Sequence, residues 1–317
     1  MDAKILISVE QLYRYYGHHL AVEAINFELA QGEVLGFLGP NGAGKSTTMQ
    51  MISGNLAPSA GRIRINGIDL LDTPKRAKAE IGYLPEQPPV YRDLTVDEYL
   101  YYCAKLHRVS KGRRSQAVTR AKDRCGLAEV SKRLIGNLSK GFQQRVGIAQ
   151  AILHSPAVVI LDEPTVGLDP NQIRDIRALI RELGESHGII LSTHILPEVQ
   201  ATCSRVQIIH QGRLVFSESM QDLERRLTSH VLLLETRQRL DETELEKLTG
   251  IDSVERLGNS RARLHFEDDN PADAVAACVA GQGWGLVELT LDRQTLEQVF
   301  VDLTCSDTSE TQRETTG

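Results

Sequence analysis

Two apolar patterns alternate along the chain, and each predicts its own kind of element. Short uninterrupted apolar runs at 34–38 (VLGFL), 158–161 (VVIL) and 189–191 (IIL) leave no polar face. Runs of that length read as strands covered on both sides, the usual state of parallel strands. Elsewhere apolar residues fall at helical spacing: Val146, Ala149, Ile152 and Leu153 follow the stretch LSKGFQQR, with Ser139 and Gly141 at the start of that helix. From Thr95 to Gln150 the pattern stays helical and opens on Thr95 and Glu98 in capping-box spacing. Residues 90–150 are therefore expected to form a helical subdomain inserted into a strand–helix core. A β-rich segment runs to about residue 33, and Asn66-Gly67 within RIRINGIDL predicts a tight hairpin.

Past about residue 225 the order changes to strand (HVLLLET), helix (DETELEKLTG), two strands (DSVERLG, ARLHFE), helix (PADAVAACVA) and strand (WGLVELTLD). That β-α-β-β-α-β order predicts a small ferredoxin-like α+β domain over 226–305. A last helix from Thr295 to Leu303 and a disordered polar tail, 306–317, are expected to close the chain.

Composition narrows the class. With 41% hydrophobic and 25% charged residues among 317, the chain suits a globular protein of about two domains. It carries no apolar run of about 18 residues and no signal-like N-terminal segment, so neither a membrane span nor a signal peptide is expected. Five scattered cysteines without CxxC or Cys/His spacing read as reduced thiols, in keeping with the cytosol. The net charge of −6 argues against a nucleic-acid partner, and the cations Lys111, Arg113 and Arg114 read as a solvated loop.

The chemistry begins at GEVLGFLGPNGAGKSTTMQ, where the first buried strand runs into Gly39, Pro40, Asn41, Gly42, Ala43, Gly44, Lys45, Ser46 and Thr47 and then a helix. Small residues there let the backbone curl so that its N–H groups and the helix N-terminus face phosphate oxygens. In this P-loop pattern Lys45 is the residue to reach β- and γ-phosphates and Ser46 the one to bind magnesium. The expected fold is thus an α/β P-loop NTPase core with an antiparallel N-terminal segment, the helical insertion and the C-terminal domain.

Phosphoryl transfer also needs carboxylates, and AVVILDEPTVGLDP ends a buried strand on two of them. Asp162 is placed to hold magnesium, and Glu163, one residue outside the strand, is the candidate base for the attacking water. The helix start at Ser139 and Gly141 is a second anion-attracting terminus. One site needs only one P-loop, so this terminus is free to serve another subunit's nucleotide.

These motifs together resemble the ATP-binding subunits of ABC transporters over roughly residues 5–225. LSKGFQQR is similar to their LSGGQ signature followed by QQR, with Ser139 and Gly141 retained, Lys140 in place of a glycine and Phe142 in place of a glutamine. The variant looks like the branch of drug-resistance, nodulation and gliding-motility exporters. The resemblance implies that Tyr16 stacks on adenine, that VGLD with Asp169 is the D-loop of the nucleotide site, and that His194 in ILSTH contacts the γ-phosphate. It further implies MgATP as ligand, a head-to-tail homodimer, an integral membrane permease as partner, and a place on the inner face of the membrane through that permease.

From the residues alone, Tyr15 rivals Tyr16, because neighbours on a strand face opposite sides. Asp169, with Pro170 after it and Gln172 beyond, also reads as a capping box. The family's metal-sensing glutamine position falls on Glu86 of YLPEQPP, with Gln87 beside it, so Glu86 is the candidate metal contact and Gln87 the alternative. No second P-loop and no long heptad insertion occur, which separates the chain from duplicated ribosome-associated and chromosome-maintenance relatives. A soluble regulatory ATPase without a transporter is the alternative function.

Overall fold

The computed structural model describes residues 4–227, 230–267, 270–292 and 296–305. The expected tail, 306–317, lies outside the described residues. The chain forms two compact units that divide between Met220 and Gln221, five residues before the expected position.

The first unit begins with a long antiparallel hairpin, β1 (Ile5–Tyr16) and β2 (His19–Ala30), which leads into β3 (Val34–Leu38) and helix α1 (Lys45–Ile52). Next come β4 (Ala60–Ile65), β5 (Ile68–Asp69), α2 (Pro74–Ala79) and β6 (Ile81–Leu84). Three helices follow, α3 (Val96–Leu106), α4 (Arg114–Arg124) and α5 (Lys140–Ile152). The strand–helix core resumes with β7 (Val158–Asp162), α6 (Pro170–Gly184), β8 (Gly188–Thr193), α7 (Leu196–Thr202), β9 (Arg205–His210) and β10 (Arg213–Ser219).

These strands make two sheets. One is antiparallel, ordered β2-β1-β4-β5; the other is ordered β10-β9-β3-β8-β7-β6, parallel from β9 to β6 with β10 antiparallel at its edge. Every residue of β3, β7 and β8 is buried, which is why their sequences carry no polar alternation. Between the sheets Ile7, Leu12, Ile25, Phe27, Phe37, Met49 and Ile190 share one core, with the Phe27 and Phe37 rings 5.9 Å apart. Truncating a fully buried ring such as Phe37 to alanine costs about 3–5 kcal/mol. The β4–β5 connection has Asn66 at φ 49° and Gly67 at φ 78°, a pair of left-handed residues that matches strand twist in a type I′ turn.

Thr95 caps α3 in a full capping box with Glu98, and Thr95 itself forms a bridge to Leu134. Helices α3, α4 and α5 are amphipathic and bury Leu100, Ala104, Val118, Ala121, Val146 and Ala149, whose spacing the sequence shows.

The second unit contains most of α8 (Met220–Leu227), then β11 (Val231–Thr236), α9 (Glu242–Glu246), β12 (Ser253–Arg256), β13 (Arg261–His265), α10 (Ala272–Gly281), β14 (Leu286–Leu291) and α11 (Leu296–Cys305). Its antiparallel sheet has the order β12-β13-β11-β14, the ferredoxin-like arrangement. Leu232, Leu234, Leu264, Phe266, Val275 and Trp284 form its own core. The other face carries ion pairs, Arg261 with Glu235 and Arg263 with Asp292 and Glu255. The residue before α11, Thr295, lies outside the described residues.

Candidate functional site

The loop between β3 and α1 is shaped by Gly44, the residue before the helix, at φ 104°. A Cβ there would stand 2.8 Å from the Ala21 carbonyl oxygen, so only glycine fits. The loop is braced from behind where the Gly212 N–H donates to Ala43 O at 2.9 Å. No side chain caps the start of α1 and no acidic residue sits in its first turn. Its backbone N–H groups and positive dipole end are therefore available to an anion. Lys45 is buried and donates from Nζ to Gly39 O at 2.7 Å and Pro40 O at 3.1 Å, while its ammonium lies 3.7 Å from Glu163 Oε1. Burial lowers the Lys45 pKa, against the opposing pull of Glu163, Asp162 and Glu86.

Asp162 and Glu163 stand where β7 ends. Asp162 is 3% exposed, and its Oδ1 has no hydrogen-bond partner. Burial raises its pKa, although the Ser192 and Ser46 hydroxyls and Lys45 favour the charged form. The Glu163 N–H donates to Ser192 O at 2.9 Å, continuing the β7–β8 pairing for one more bond. Glu163 then turns to φ 49°, a left-handed conformation uncommon outside glycine, and so leaves the strand direction at the carboxylate that faces the loop.

His194, just past β8, places Nδ1 3.0 Å from both carboxylate oxygens of Glu163. A carboxylate only accepts, so Nδ1 carries the hydrogen.

Beneath this pair lies Glu198, 1% exposed, in the first turn of α7. Its Oε1 accepts a short hydrogen bond from Thr165 Oγ1 and its Oε2 accepts from Thr193 Oγ1 at 2.8 Å. One carboxylate thus joins the loop after Glu163 to the segment before His194. Sequence reasoning missed Glu198, since a glutamate in the first turn of a short helix is ordinary there.

Tyr16, Asn41, Gly42, Gly44, Lys45, Ser46, Thr47, Glu86, Glu163 and His194 line one cleft of about 480 Å³. Of the paired alternatives, Tyr16 and Glu86 border it, and Tyr15 and Gln87 do not. Arg14 lies over the Tyr16 ring, 4.7 Å from its centroid. Gly39 and Pro40 contribute the carbonyls that hold Lys45.

Ser139, Gly141 and Asp169 do not line this cleft. Ser139 caps α5 and Asp169 caps α6, the latter accepting from Asn171 N and Gln172 N at 3.0 Å each. Gln172 does not complete the expected box: its amide packs on Gly141, where a Cβ would stand 2.6 Å from it. One turn further along, Arg145 of α5 pairs with Asp175 of α6 at 2.8 Å.

A glycine-rich loop opening a helix, beside two carboxylates at the end of another strand of the same parallel sheet, defines a P-loop nucleotide-binding ATPase. Comparison with known proteins narrows the class. The family model described as ABC transporter matches residues 22–166. The bacitracin transport ATP-binding protein BcrA of Bacillus licheniformis is 33% identical over 94% of this chain and 97% of its own length. The linearmycin resistance ATP-binding protein LnrL of Bacillus subtilis is 30% identical over 94% of this chain and 98% of its own. Among solved structures, an ATP-binding subunit of an ABC transporter shares 33% identity at a TM-score of 0.63, covering 70% of this chain and 92% of that one. The cbiO1 subunit from Clostridium perfringens gives 29% and 0.64, covering 70% and 91%. The chain belongs to the ATP-binding proteins of ABC transporters.

Proposed function

We propose that the chain binds ATP with magnesium in the Lys45–Glu163–His194 cleft and hydrolyses it to drive a separate membrane permease that exports its cargo. The observation that carries this reading is the convergence of the bare α1 terminus, Lys45, the partnerless Asp162 Oδ1 and the Glu163–His194 pair. A buried carboxylate oxygen without a partner, next to the Ser46 hydroxyl and near Glu86, fits a divalent cation. Asp162, Ser46 and Glu86 would hold magnesium, whose chemistry is to neutralise charge on the phosphoryl oxygens.

In the reaction, water attacks the γ-phosphorus as the bond to the leaving ADP oxygen breaks, giving ADP and phosphate. Glu163 orients the water and accepts its proton, and His194 keeps the carboxylate pointed inward through Nδ1–H. Lys45 exchanges its Gly39 and Pro40 carbonyls for phosphate oxygens, adding positive charge where negative charge accumulates. A contact from His194 to the γ-phosphoryl uses Nε2, a donor only in the imidazolium form. Tyr16, at the cleft border, is the platform for adenine.

Ser139, Gly141 and Asp169 lie off the cleft and complete it from a second copy, in a head-to-tail dimer of twofold symmetry. The permease docks at a groove of about 490 Å³ lined by Tyr91, Tyr99, Tyr102 and Leu106, where Tyr91 packs edge-on against Tyr99 and Tyr102. This places the chain on the cytoplasmic face of a membrane. Export is favoured by the likeness to BcrA, a bacitracin transport protein, and LnrL, a linearmycin resistance protein.

The test is light scattering of Glu163→Gln with and without MgATP, together with purification from membranes. The dimer is expected only with MgATP, and an integral membrane protein is expected to copurify. A monomer in both conditions would overturn the dimer, and absence of any membrane partner would overturn the transport role.

A further inference from the structure

Helices α3 and α4 form an antiparallel hairpin whose charge is one-sided. Between Glu98 and Asp123 the chain has seven cations and no carboxylate, although it carries 42 acidic against 36 basic residues overall. Lys105, Arg108, Lys111, Arg113 and Arg114 of this set cluster at the hairpin tip. Of these cations only Lys122, far from the tip on α4, pairs with a carboxylate among the described residues, that of Asp97. Arg114 spends its Nε on the Val109 carbonyl, and Lys105 stands 5.1 Å over the Tyr101 ring. The charges at the tip are therefore not neutralised by carboxylates among the described residues.

The same end of α3 is unusual in its apolar residues. Its outward stripe, at helical spacing, is Glu98, Tyr101, Tyr102, Lys105 and Leu106, and Leu106 is 61% exposed. A solvated helix face is ordinarily polar. Tyrosines and a leucine interleaved with lysine and arginine match a lipid headgroup boundary, where phenol rings sit at the headgroup level and cations meet phosphate. A nucleic-acid surface would call for base-stacking aromatics along a basic groove, whereas the groove beside Tyr101, Tyr102 and Lys105 also carries the carboxylates of Asp97 and Glu98, and the tip beyond it bears an aliphatic residue. The stripe also continues into the groove of the proposed permease site, since Tyr102 and Leu106 line both the groove and the stripe.

We propose that the α3–α4 tip binds the surface of a bilayer containing anionic phospholipid, directly and without the permease. Lys111 and Arg113 supply the attraction to headgroup phosphates and Leu106 inserts at the boundary. The contact rests on the transporter reading for its setting but not for its chemistry. It holds the helical subdomain against the membrane beside the permease.

Flotation of the full chain with permease-free vesicles tests this. Binding is expected to vesicles of equal parts phosphatidylcholine and phosphatidylglycerol, to fall as salt is raised, and to be absent on phosphatidylcholine alone. Each cation near an anionic surface strengthens attachment about fivefold, so the double variant Lys111→Glu/Arg113→Glu should bind at least about 25-fold more weakly. Leu106→Ser should weaken binding while keeping its salt dependence. ATP turnover of the double variant at the wild-type rate, and an unchanged urea-unfolding midpoint for Leu106→Ser, show that the chain is still folded. Equal binding to both kinds of vesicle, an unaltered double variant, or tighter binding to a single-stranded oligonucleotide than to anionic vesicles would overturn the proposal. Copurification with a permease would survive any of those results, so the two readings fail separately.

Discussion

His194 and Glu163 meet across the ends of two neighbouring parallel strands, with the imidazole Nδ1 3.0 Å from both carboxylate oxygens. They are 31 residues apart in sequence, and the β7–β8 register, Asp162 opposite Ser192, brings them together. The base of the proposed reaction is therefore aimed by a residue from the next strand.

The roles of Lys45 and Glu163 separate in their variants. Lys45→Ala removes a cation that holds phosphate in the ground state, so nucleotide affinity should fall together with turnover. Glu163→Gln keeps the shape and loses the proton acceptor, so binding should persist while turnover drops by a hundredfold or more, within the range of general-base loss of about 10²–10⁴. Equilibrium binding of a fluorescent ATP analogue alongside phosphate release distinguishes them; near-normal hydrolysis by Glu163→Gln would remove it from the mechanism.

Glu198 should matter although it lies beneath the cleft. It accepts hydroxyls from Thr165 and Thr193, on the segments that carry Glu163 and His194. Glu198→Ala leaves both hydroxyls without their acceptor and should lower kcat at least tenfold with KM for MgATP little changed. Adding His194→Ala to that variant should cost much less than it costs wild type, because the pairing is already loosened. Additive losses would mean that Glu198 supports the fold only.

Two residues at the start of α5, outside the cleft, differ in what a substitution destroys. Ser139 caps α5 at the residue proposed to meet a partner's nucleotide, whereas Phe142 packs under the Arg145 guanidinium at 5.8 Å. Ser139→Arg should therefore reduce hydrolysis far more than Phe142→Gln, as measured by steady-state turnover above the dimerisation concentration. Comparable hundredfold losses in both would contradict this ordering.

Stability should fall on mild acidification because of His154. Its ring stacks on His107 with centroids 4.0 Å apart, and its Nε2 lies 3.1 Å from the Ile81 carbonyl oxygen. Burial, aided by His107, pushes its pKa from an ordinary 6.5 to about 4. The unfolded chain takes up this proton first, so stability present above the ordinary value is lost as pH falls toward the folded value. The loss at full extent is up to about 3 kcal/mol. Urea unfolding between about pH 7 and pH 5 should show a flatter dependence in His154→Phe than in wild type; parallel curves would assign the effect elsewhere.

Much of this was legible in the sequence where the cause is local. The P-loop reads directly because a chain that must curl around phosphate needs Gly42 and Gly44, and the carboxylates read because an apolar strand has to end on Asp162. The ferredoxin-like order was legible because its strands alternate and its helices do not. What depends on distant partners was hidden. Gln172 has the spacing of a capping box, yet α5 approaches so closely that its amide lies packed against Gly141. Glu198 was hidden for the same reason, as its worth comes from two threonines on other segments.

The lacing of α5 to α6 turns the helical insertion into a lever. Gly141 sits flush on Gln172, Arg145 is bonded to Asp175, and from α4 Arg124 is bonded to Glu182 at 2.9 Å. With three fastenings spread along α6 there is little slack for α5 to slide or roll alone. A push on the hairpin therefore arrives at Asp169, six residues after Glu163, as a displacement of the whole strut.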